Sequence, residues 1–192
     1  MQFHPLTVQT RTPSPLGDIR LAASPQVLAG LWFHDQLHLP AQLDGARAWP
    51  QNAAHPVLQA AVQQLQQYFA GTRVQFDVPL DTSGGTPFQQ AVWQALLGIA
   101  HGSVTTYGAL AQQLGRASAV RAVGAAVGRN PLSLVVPCHR VLGAGGRLTG
   151  YAGGLERKAW LLALEGAAVP AGAQTALPVA IEDFSGAENL FA

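Results

Sequence analysis

The chain has 192 residues, 48% of them hydrophobic, and a formal net charge of +1 at pH 7. A chain of this length holds one large domain or two small ones around a hydrophobic core. We expect no membrane-spanning segment and no secretory leader, and the single cysteine excludes both an internal disulfide and a multi-cysteine zinc site.

The charge is unevenly distributed. Residues 1–83 carry four Arg and five Asp, residues 84–168 carry seven Arg or Lys and two Glu, and residues 169–192 carry two Glu and one Asp. The net charges of −1, +5 and −3 lead us to predict two domains, 1–83 and 84–168, and an acidic tail rich in Ala and Pro at 169–192. A basic domain suits contact with phosphates, although a solvated surface explains the charge equally well.

The first half shows the patterns of a small α/β domain. Alternation in Ile19–Ala22 and the apolar run Val27–Phe33 predict a β-hairpin. Apolar residues recur at helical spacing from Pro56 to Gly71, and Val74–Val78 is predicted to add a strand. No catalytic pattern is visible in this half, so we interpret it as a scaffold.

The second half is predicted to be mainly helical. Thr86 as N-cap, followed by Pro87 and Gln89, is typical of a capping box and predicts a helix that extends to about Ala100. Two shorter helices, 109–114 and 119–127, are separated by a glycine turn and form a helix-turn-helix pattern, and a last helix is predicted at 155–165. The predicted fold class is therefore α+β: an α/β domain with a β-hairpin and one helix, followed by a winged-helix-like domain.

The helix at 119–127 has an unusual composition. Apart from Arg121 and three valines it contains only Ala and Gly. Small residues allow helices to pack closely in a core. They also make a helix slim enough for the narrow minor groove of DNA, where one arginine can reach the base stack.

The only cysteine, Cys138, lies in a setting that favours reactivity. The β-branched pair Val135–Val136 predicts a short buried strand, which Pro137 ends. His139 and Arg140 follow, and a neighbouring imidazole or cation lowers the pKa of a thiol and so favours the reactive thiolate. Taken alone, a single cysteine is more often a buried structural residue.

The segment around this cysteine reads Asn-Pro-Leu-Ser-Leu-Val-Val-Pro-Cys-His-Arg-Val over residues 130–141. It resembles the active-site signature of the O6-alkylguanine-DNA alkyltransferases, and the resemblance extends over about residues 86–166. It implies direct DNA repair, in which an alkyl group moves irreversibly and once only from O6 of guanine in duplex DNA to Cys138. O4 of thymine is a second candidate position.

The resemblance also implies roles for individual residues. Cys138 is the nucleophile, His139 takes its proton through a water, and Glu165 orients His139. Tyr107 donates a hydrogen bond to the guanine ring, and Arg121 fills the gap left when the damaged base is flipped out. The implied DNA-binding residues are Thr106, Arg121, Ala122 and Gly124. The implied pocket and hinge residues are Asn130, Val136, Pro137, Tyr151, Ala152 and Gly153.

Departures from the family pattern narrow these expectations. Ala152 stands where some members carry serine, so only its backbone N–H can donate a hydrogen bond to O6. Ser133 replaces a proline that some relatives carry. The zinc-binding residues of certain relatives are missing, so we expect neither a metal nor a cofactor. The expected partner is double-stranded DNA containing O6-alkylguanine. We expect the protein to act as a monomer, to bind no membrane, and to work in the cytoplasm, where a free thiol stays reduced.

Two other classes of function deserve comparison. A Cys-His-Glu hydrolase would turn over repeatedly, but adjacent Cys and His beside a helix-turn-helix do not favour it. A non-repairing module that only binds alkylated DNA, as cysteine-less relatives are thought to do, is the main alternative. The presence of Cys138 argues against that alternative.

Overall fold

A computed structural model describes residues 1–168, so the predicted tail at 169–192 lies outside the described residues. The first half contains an antiparallel sheet of three strands in the order β1-β2-β3. Strand β1 covers Val8–Thr12, β2 covers Ile19–Ala23 and β3 covers Leu28–Phe33. The predicted hairpin is β2–β3, and β1 is a third strand that the sequence patterns did not indicate.

Helix α1, Pro56–Phe69, packs against this sheet through its apolar face. The strand predicted at Val74–Val78 is wrong, because these residues adopt irregular structure. The chain meets β3 only afterwards, in a single bridge between Leu28 and Leu80. One bridge beside a proline, Pro79, does not extend into a ladder, since proline has no amide hydrogen to donate.

The second half is helical, as predicted. Its helices are α2, Pro87–Leu97, α3, Tyr107–Gln113, α4, Val120–Gly128, and α5, Leu155–Leu164. The capping box is present at the start of α2, where Thr86 and Gln89 exchange side-chain and backbone hydrogen bonds. Gly115 has a φ of 66° directly after α3, a conformation that ends a helix at little cost to glycine.

Helices α3 and α4 form the helix-turn-helix, and two contacts fix its position. The indole Nε1 of Trp93 on α2 donates to the carbonyl of Ala126 on α4 at 2.9 Å. A short parallel pair joins β4, Thr105–Thr106, to β5, Val141–Leu142, and so places the start of α3 beside the segment that follows the cysteine.

The two halves share one hydrophobic core. A single cluster of buried side chains includes members of both, among them Leu31, Phe33, Leu65, Val136 and Leu161. The backbone amide of Leu31 in β3 donates to Pro131 (2.8 Å), and its carbonyl accepts from Ser133 (2.9 Å). The division at residue 83 therefore stays a prediction about chain organisation, while the packing joins both parts closely. Within residues 1–168, no helix is long and apolar enough to cross a membrane.

Candidate active site

The cysteine lies on a short 3-10 helix, Cys138–Arg140, and the residues before it form a turn. The predicted strand at Val135–Val136 is wrong. Here the amide of Val136 donates to the carbonyl of Leu132 at 2.8 Å. Leu134 has a φ of 70°, which a non-glycine residue rarely adopts. This turn overrides the strand preference of the two valines and places a strained residue next to the reactive segment.

Cys138 is buried, with 3% of its surface exposed. The side-chain amide of Asn130 donates to its Sγ at 3.1 Å and to the carbonyl of Val136 at 2.8 Å. Burial raises the pKa of the Cys138 thiol, whereas the Asn130 hydrogen bond and the charge of Lys158 act in the opposite direction. The predicted hinge residue Asn130 thus holds both the turn and the sulfur.

Glu165, which caps the C-terminus of α5, is the centre of a buried hydrogen-bond network. Its Oε1 is 2.8 Å from His139 Nε2, and Arg140 binds the carboxylate with two nitrogens, each at 2.8 Å. Burial opposes ionisation, yet the hydrogen bonds from His139 and Arg140 hold the pKa of Glu165 well below its usual range. Burial lowers the pKa of His139, while its hydrogen bond to Glu165 acts against that shift.

Arg140 therefore organises the site. Its Nη1 also donates to the carbonyl of Ile99 at 2.6 Å, which ties the end of α2 to the network. A bidentate arginine both neutralises and orients a carboxylate. The pair keeps Glu165 ionised and fixed opposite His139.

Tyr68 corrects our interpretation of the first half as a scaffold without chemistry. Its hydroxyl donates to Glu165 Oε1 at 2.7 Å, the same oxygen that faces His139. Burial raises the pKa of Tyr68 well above its ordinary value, so the phenol remains a donor. In the sequence Tyr68 appeared only as one apolar position of α1, and nothing there indicated a partner 97 residues away.

Lys158 is a second residue that the sequence analysis missed. It is fully buried, and its ammonium donates to the carbonyls of Val141, Thr149 and Gly150. Burial lowers its pKa to about 8, although the neighbouring charge of Cys138 favours the protonated form. One signal was present, because Lys158 lies at helical spacing on the face of α5 that also carries the buried Leu161.

Tyr107 begins α3 and lies at a cavity of about 390 Å³. Its hydroxyl donates to the carbonyl of Gly150 at 2.8 Å. Burial and the charge of Cys138 raise the pKa of Tyr107 to about 12. The cavity wall is formed by Leu37, His38, Tyr107, Gly124, Gly128, Gly150, Tyr151, Ala152, Gly154 and Leu155.

Not all the predicted pocket residues reach this cavity. Tyr151 and Ala152 line it, whereas Gly153 borders a neighbouring cleft. A side chain at Gly153 would meet the rings of Tyr151 and Phe33 within 3 Å, so glycine is required there by packing. Val136 and Pro137 are buried in the turn before the cysteine and are absent from the cavity wall.

Helix α4 has one buried and one exposed face. It buries Val123, Ala126 and Val127 against the core, whereas Arg121, Ala122 and Ala125 are exposed, as is Arg129 directly after the helix. Gly124 lies against Tyr107, with the ring 3.8 Å from the position that a Cβ would occupy. Thr106 caps α3 by accepting from the amide of Ala109 at 3.1 Å. One face therefore packs in the core, as the packing interpretation predicts, while the contact of the open face with DNA stays a prediction.

The site contains the parts of a nucleophilic centre. A buried thiol, a neighbouring imidazole and an ionised carboxylate occur together, and the ring of Tyr151 in the cavity wall lies 6.5 Å from the His139 ring between centroids. In the described part of the chain, no group of three or more His, Cys, Asp or Glu side chains is arranged to hold a metal ion.

Comparison with known proteins relates both halves of the chain to the same protein family. Residues 87–167 match the family model for the DNA-binding domain of 6-O-methylguanine DNA methyltransferase, and residues 8–82 match the model for its ribonuclease-like domain. A methylated-DNA–protein-cysteine methyltransferase of Mycolicibacterium paratuberculosis is 47% identical over 152 residues, which cover 79% of this chain and 88% of that protein. Its Mycobacterium tuberculosis counterpart is 46% identical over 158 residues, covering 82% of this chain and 92% of that protein.

Solved structures agree with these matches. The crystal structure of Mycobacterium tuberculosis OGT in complex with DNA superimposes with a TM-score of 0.74 at 45% identity, covering 82% of this chain and 92% of that chain. The O6-methylguanine-DNA methyltransferase of the archaeon Pyrococcus kodakaraensis gives a TM-score of 0.54 at 29% identity, covering 83% and 99% respectively. With two family models matched and relatives of this similarity, the chain belongs to the 6-O-methylguanine DNA methyltransferase family, a family of DNA alkyltransferases.

Proposed function

We propose that this chain binds duplex DNA containing O6-alkylguanine and transfers the alkyl group to Cys138 in one irreversible step. The observation that carries the proposal is the buried series Cys138, His139 and Glu165, in which the imidazole is held at 2.8 Å by an ionised carboxylate. This arrangement supplies a nucleophile, a base and a group that orients the base.

The protonation states follow from the hydrogen bonds. Because Glu165 is ionised, His139 Nε2 carries the proton and donates to it, which leaves Nδ1 as the nitrogen with a free lone pair. Burial keeps His139 neutral and raises the pKa of Cys138, so the thiol is protonated at rest. Nδ1 takes the thiol proton through a water, and the resulting imidazolium is stabilised by Glu165.

Displacement at the alkyl carbon follows this proton transfer. The Cys138 sulfur forms a bond to the alkyl carbon, the bond between that carbon and O6 breaks, and its electron pair remains on the guanine. Tyr107, whose pKa of about 12 keeps it protonated at neutral pH, donates a proton to the guanine ring as the base leaves. Its hydroxyl must first exchange its hydrogen bond to Gly150 for one to the base. The backbone N–H of Ala152 donates a hydrogen bond to O6.

DNA recognition is assigned to the exposed face of α4. Its small side chains suit close approach to the minor groove, and Arg121 occupies the space that the flipped nucleotide leaves. Thr106 at the start of α3 and Ala122 and Gly124 on α4 complete the proposed contact. We further propose that residues 84–168 hold the DNA-binding and transfer functions, that the protein acts as a monomer, and that it works in a reducing compartment such as the cytoplasm.

The experiment is mass spectrometry of the protein after mixing it with duplex DNA that contains one O6-methylguanine. We expect the mass of one methyl group on the peptide that contains Cys138, and restored guanine in the DNA. Transfer should stop at one group per chain because a thioether is stable to water. Cys138→Ser is the control, which should bind the DNA and accept no methyl group. Repeated turnover would indicate a hydrolase, and binding without transfer by the wild type would indicate the non-repairing module.

A further inference from the structure

The first half of the chain contributes two residues to the cavity beside Tyr107. Leu37 and His38, which we call the N-terminal lip, follow β3 and form part of the cavity wall. Leu37 is 64% exposed, so its side chain does not pack in the hydrophobic core. An exposed leucine at the wall of a cavity is available to contact whatever enters that cavity.

Backbone and side-chain contacts hold the lip against the second half. The amide of Leu37 donates to the carbonyl of Ala152 at 3.0 Å. The buried amide oxygen of Gln36 accepts from the backbone of Phe33 and from the hydroxyl of Ser133, both at 3.0 Å. The lip therefore has a defined position relative to the loop that carries Ala152.

An ion pair directly before the lip reinforces this position. Arg157 lies 2.7 Å from the carboxylate of Asp35 and donates to the carbonyls of Leu16 and Gly153, each at 2.9 Å. Its guanidinium also lies over the ring of Phe33, 4.6 Å from the centroid. The first half, the 150–154 loop and α5 are thereby joined at one point.

The backbone of the lip is strained. His38 has a φ of 65°, a left-handed conformation that costs a non-glycine residue free energy. Such conformations persist where the surroundings fix them, and they are frequent at ligand-binding sites. In this protein the left-handed conformation of His38 changes the direction of the chain at the cavity wall.

The cavity wall lies close to the segment that carries the cysteine. Tyr151 belongs to this wall, and its ring centroid is 6.5 Å from that of His139, the residue directly after Cys138. An alkyl group that is attacked at its first carbon by Cys138 has the rest of its atoms available to extend into this cavity.

We propose that the N-terminal lip, Leu37 and His38, is a specificity-determining element that contacts the O6 substituent when the substituent is larger than methyl. This inference rests on the proposed function. A methyl group ends at the carbon that is attacked, so it gains little from a more distant wall. A benzyl group extends farther and buries apolar surface against Leu37, and that contact favours its reaction.

The test uses two duplexes of identical sequence, one with O6-methylguanine and one with O6-benzylguanine at the same position. Second-order rate constants are measured for the wild type, Leu37→Ala, His38→Gly and the control Leu6→Ala. Leu6 is a matched control because it is 67% exposed in the same half and lines neither cavity described above. His38→Gly removes the ring and keeps the left-handed backbone accessible.

We expect Leu37→Ala to lower the benzyl rate about tenfold while changing the methyl rate less than about twofold. We expect His38→Gly to change the same ratio in the same direction and Leu6→Ala to leave it unchanged. Equal losses on both duplexes, no change, or a wild type that repairs the methyl but not the benzyl duplex would overturn the inference. A wild type that reacts with neither duplex would instead overturn the proposed function.

Discussion

The side-chain amide of Asn130 donates a 3.1 Å hydrogen bond to the sulfur of Cys138, eight positions later in the chain. The same amide holds the carbonyl of Val136, and its oxygen accepts from the amide of Leu132 at 3.0 Å. Asn130 also follows the end of α4 after a single residue. A chemical change at the sulfur therefore acts directly on the residue that joins the reactive turn to the proposed DNA-binding helix.

Alkylation of Cys138 should destabilise the protein. A methyl group added at a buried, hydrogen-bonded sulfur weakens the Asn130 contact and overfills the site, which typically costs about 1–3 kcal/mol. We expect the methylated protein to show a lower melting temperature than the unmodified protein in calorimetry. An unchanged melting temperature after complete methylation would contradict this and indicate that the site already has room.

Tyr68→Phe should mainly reduce stability, whereas Tyr107→Phe should mainly reduce the rate of alkyl transfer. Loss of the Tyr68 hydroxyl removes a buried donor from Glu165 and should lower the free energy of unfolding by about 2 kcal/mol. Tyr107 is only partly buried, so its variant should lose less stability but react much more slowly with methylated DNA. Denaturant unfolding and single-turnover rates measured on both proteins test the pair. Equal stabilities would contradict the placement of Tyr68 in the network.

Glu165→Gln should reduce stability in a pH-dependent way. The substitution leaves Arg140 buried without its anion, a change that commonly costs about 3 kcal/mol or more. The pKa of Glu165 is depressed in the folded protein, so its contribution is complete above the unfolded pKa of about 4.3 and declines as pH falls below it. The stability gap between wild type and variant should thus be constant near neutral pH and narrow below about pH 4.5.

Glu156→Gln is the control for this experiment, since it makes the same change at an exposed position on the same helix. Urea unfolding curves at several pH values give the comparison. A gap that widens on acidification, or one that Glu156→Gln reproduces, would mean that the ion pair is not its source.

Arg121→Ala should slow the repair of duplex DNA far more than the reaction with free O6-benzylguanine. Only the duplex requires a base to be flipped, and the gap then needs filling, so we expect at least about a tenfold loss on the duplex. Arg129→Ala is the matched control, because it removes another exposed arginine, the one directly after the same helix. Stopped-flow or quenched-flow rates on both substrates decide the matter. Similar losses on the two would place Arg121 in the fold or the active site.

Much of the second half could be predicted because its signals are local. The capping box at Thr86 and the glycine that ends α3 act within a few residues, so their patterns remain visible in the sequence. The strand predicted at Val135–Val136 failed because the bonds of the Asn130 side chain and the left-handed Leu134 outweigh a weak strand preference.

The residues of the candidate site divide in the same way into those with local signals and those without. His139 was assigned by resemblance, and Arg140 follows it in the same motif. Tyr68 and Lys158 act through contacts that exist only after the chain has folded, and both were missed. The family resemblance named the residues that we propose carry the chemistry, but not the buried groups that position them and set their charge.

The bridge between Leu31 and the reactive turn limits how this protein can be divided. Backbone hydrogen bonds on both sides of Leu132 attach the turn to the edge of β3, inside the shared core. A fragment beginning at residue 84 would leave these peptide groups without partners and would also lose the phenol of Tyr68. The cysteine motif therefore cannot be moved to another protein by itself. Introducing it into another helix-turn-helix domain would require the sheet as well.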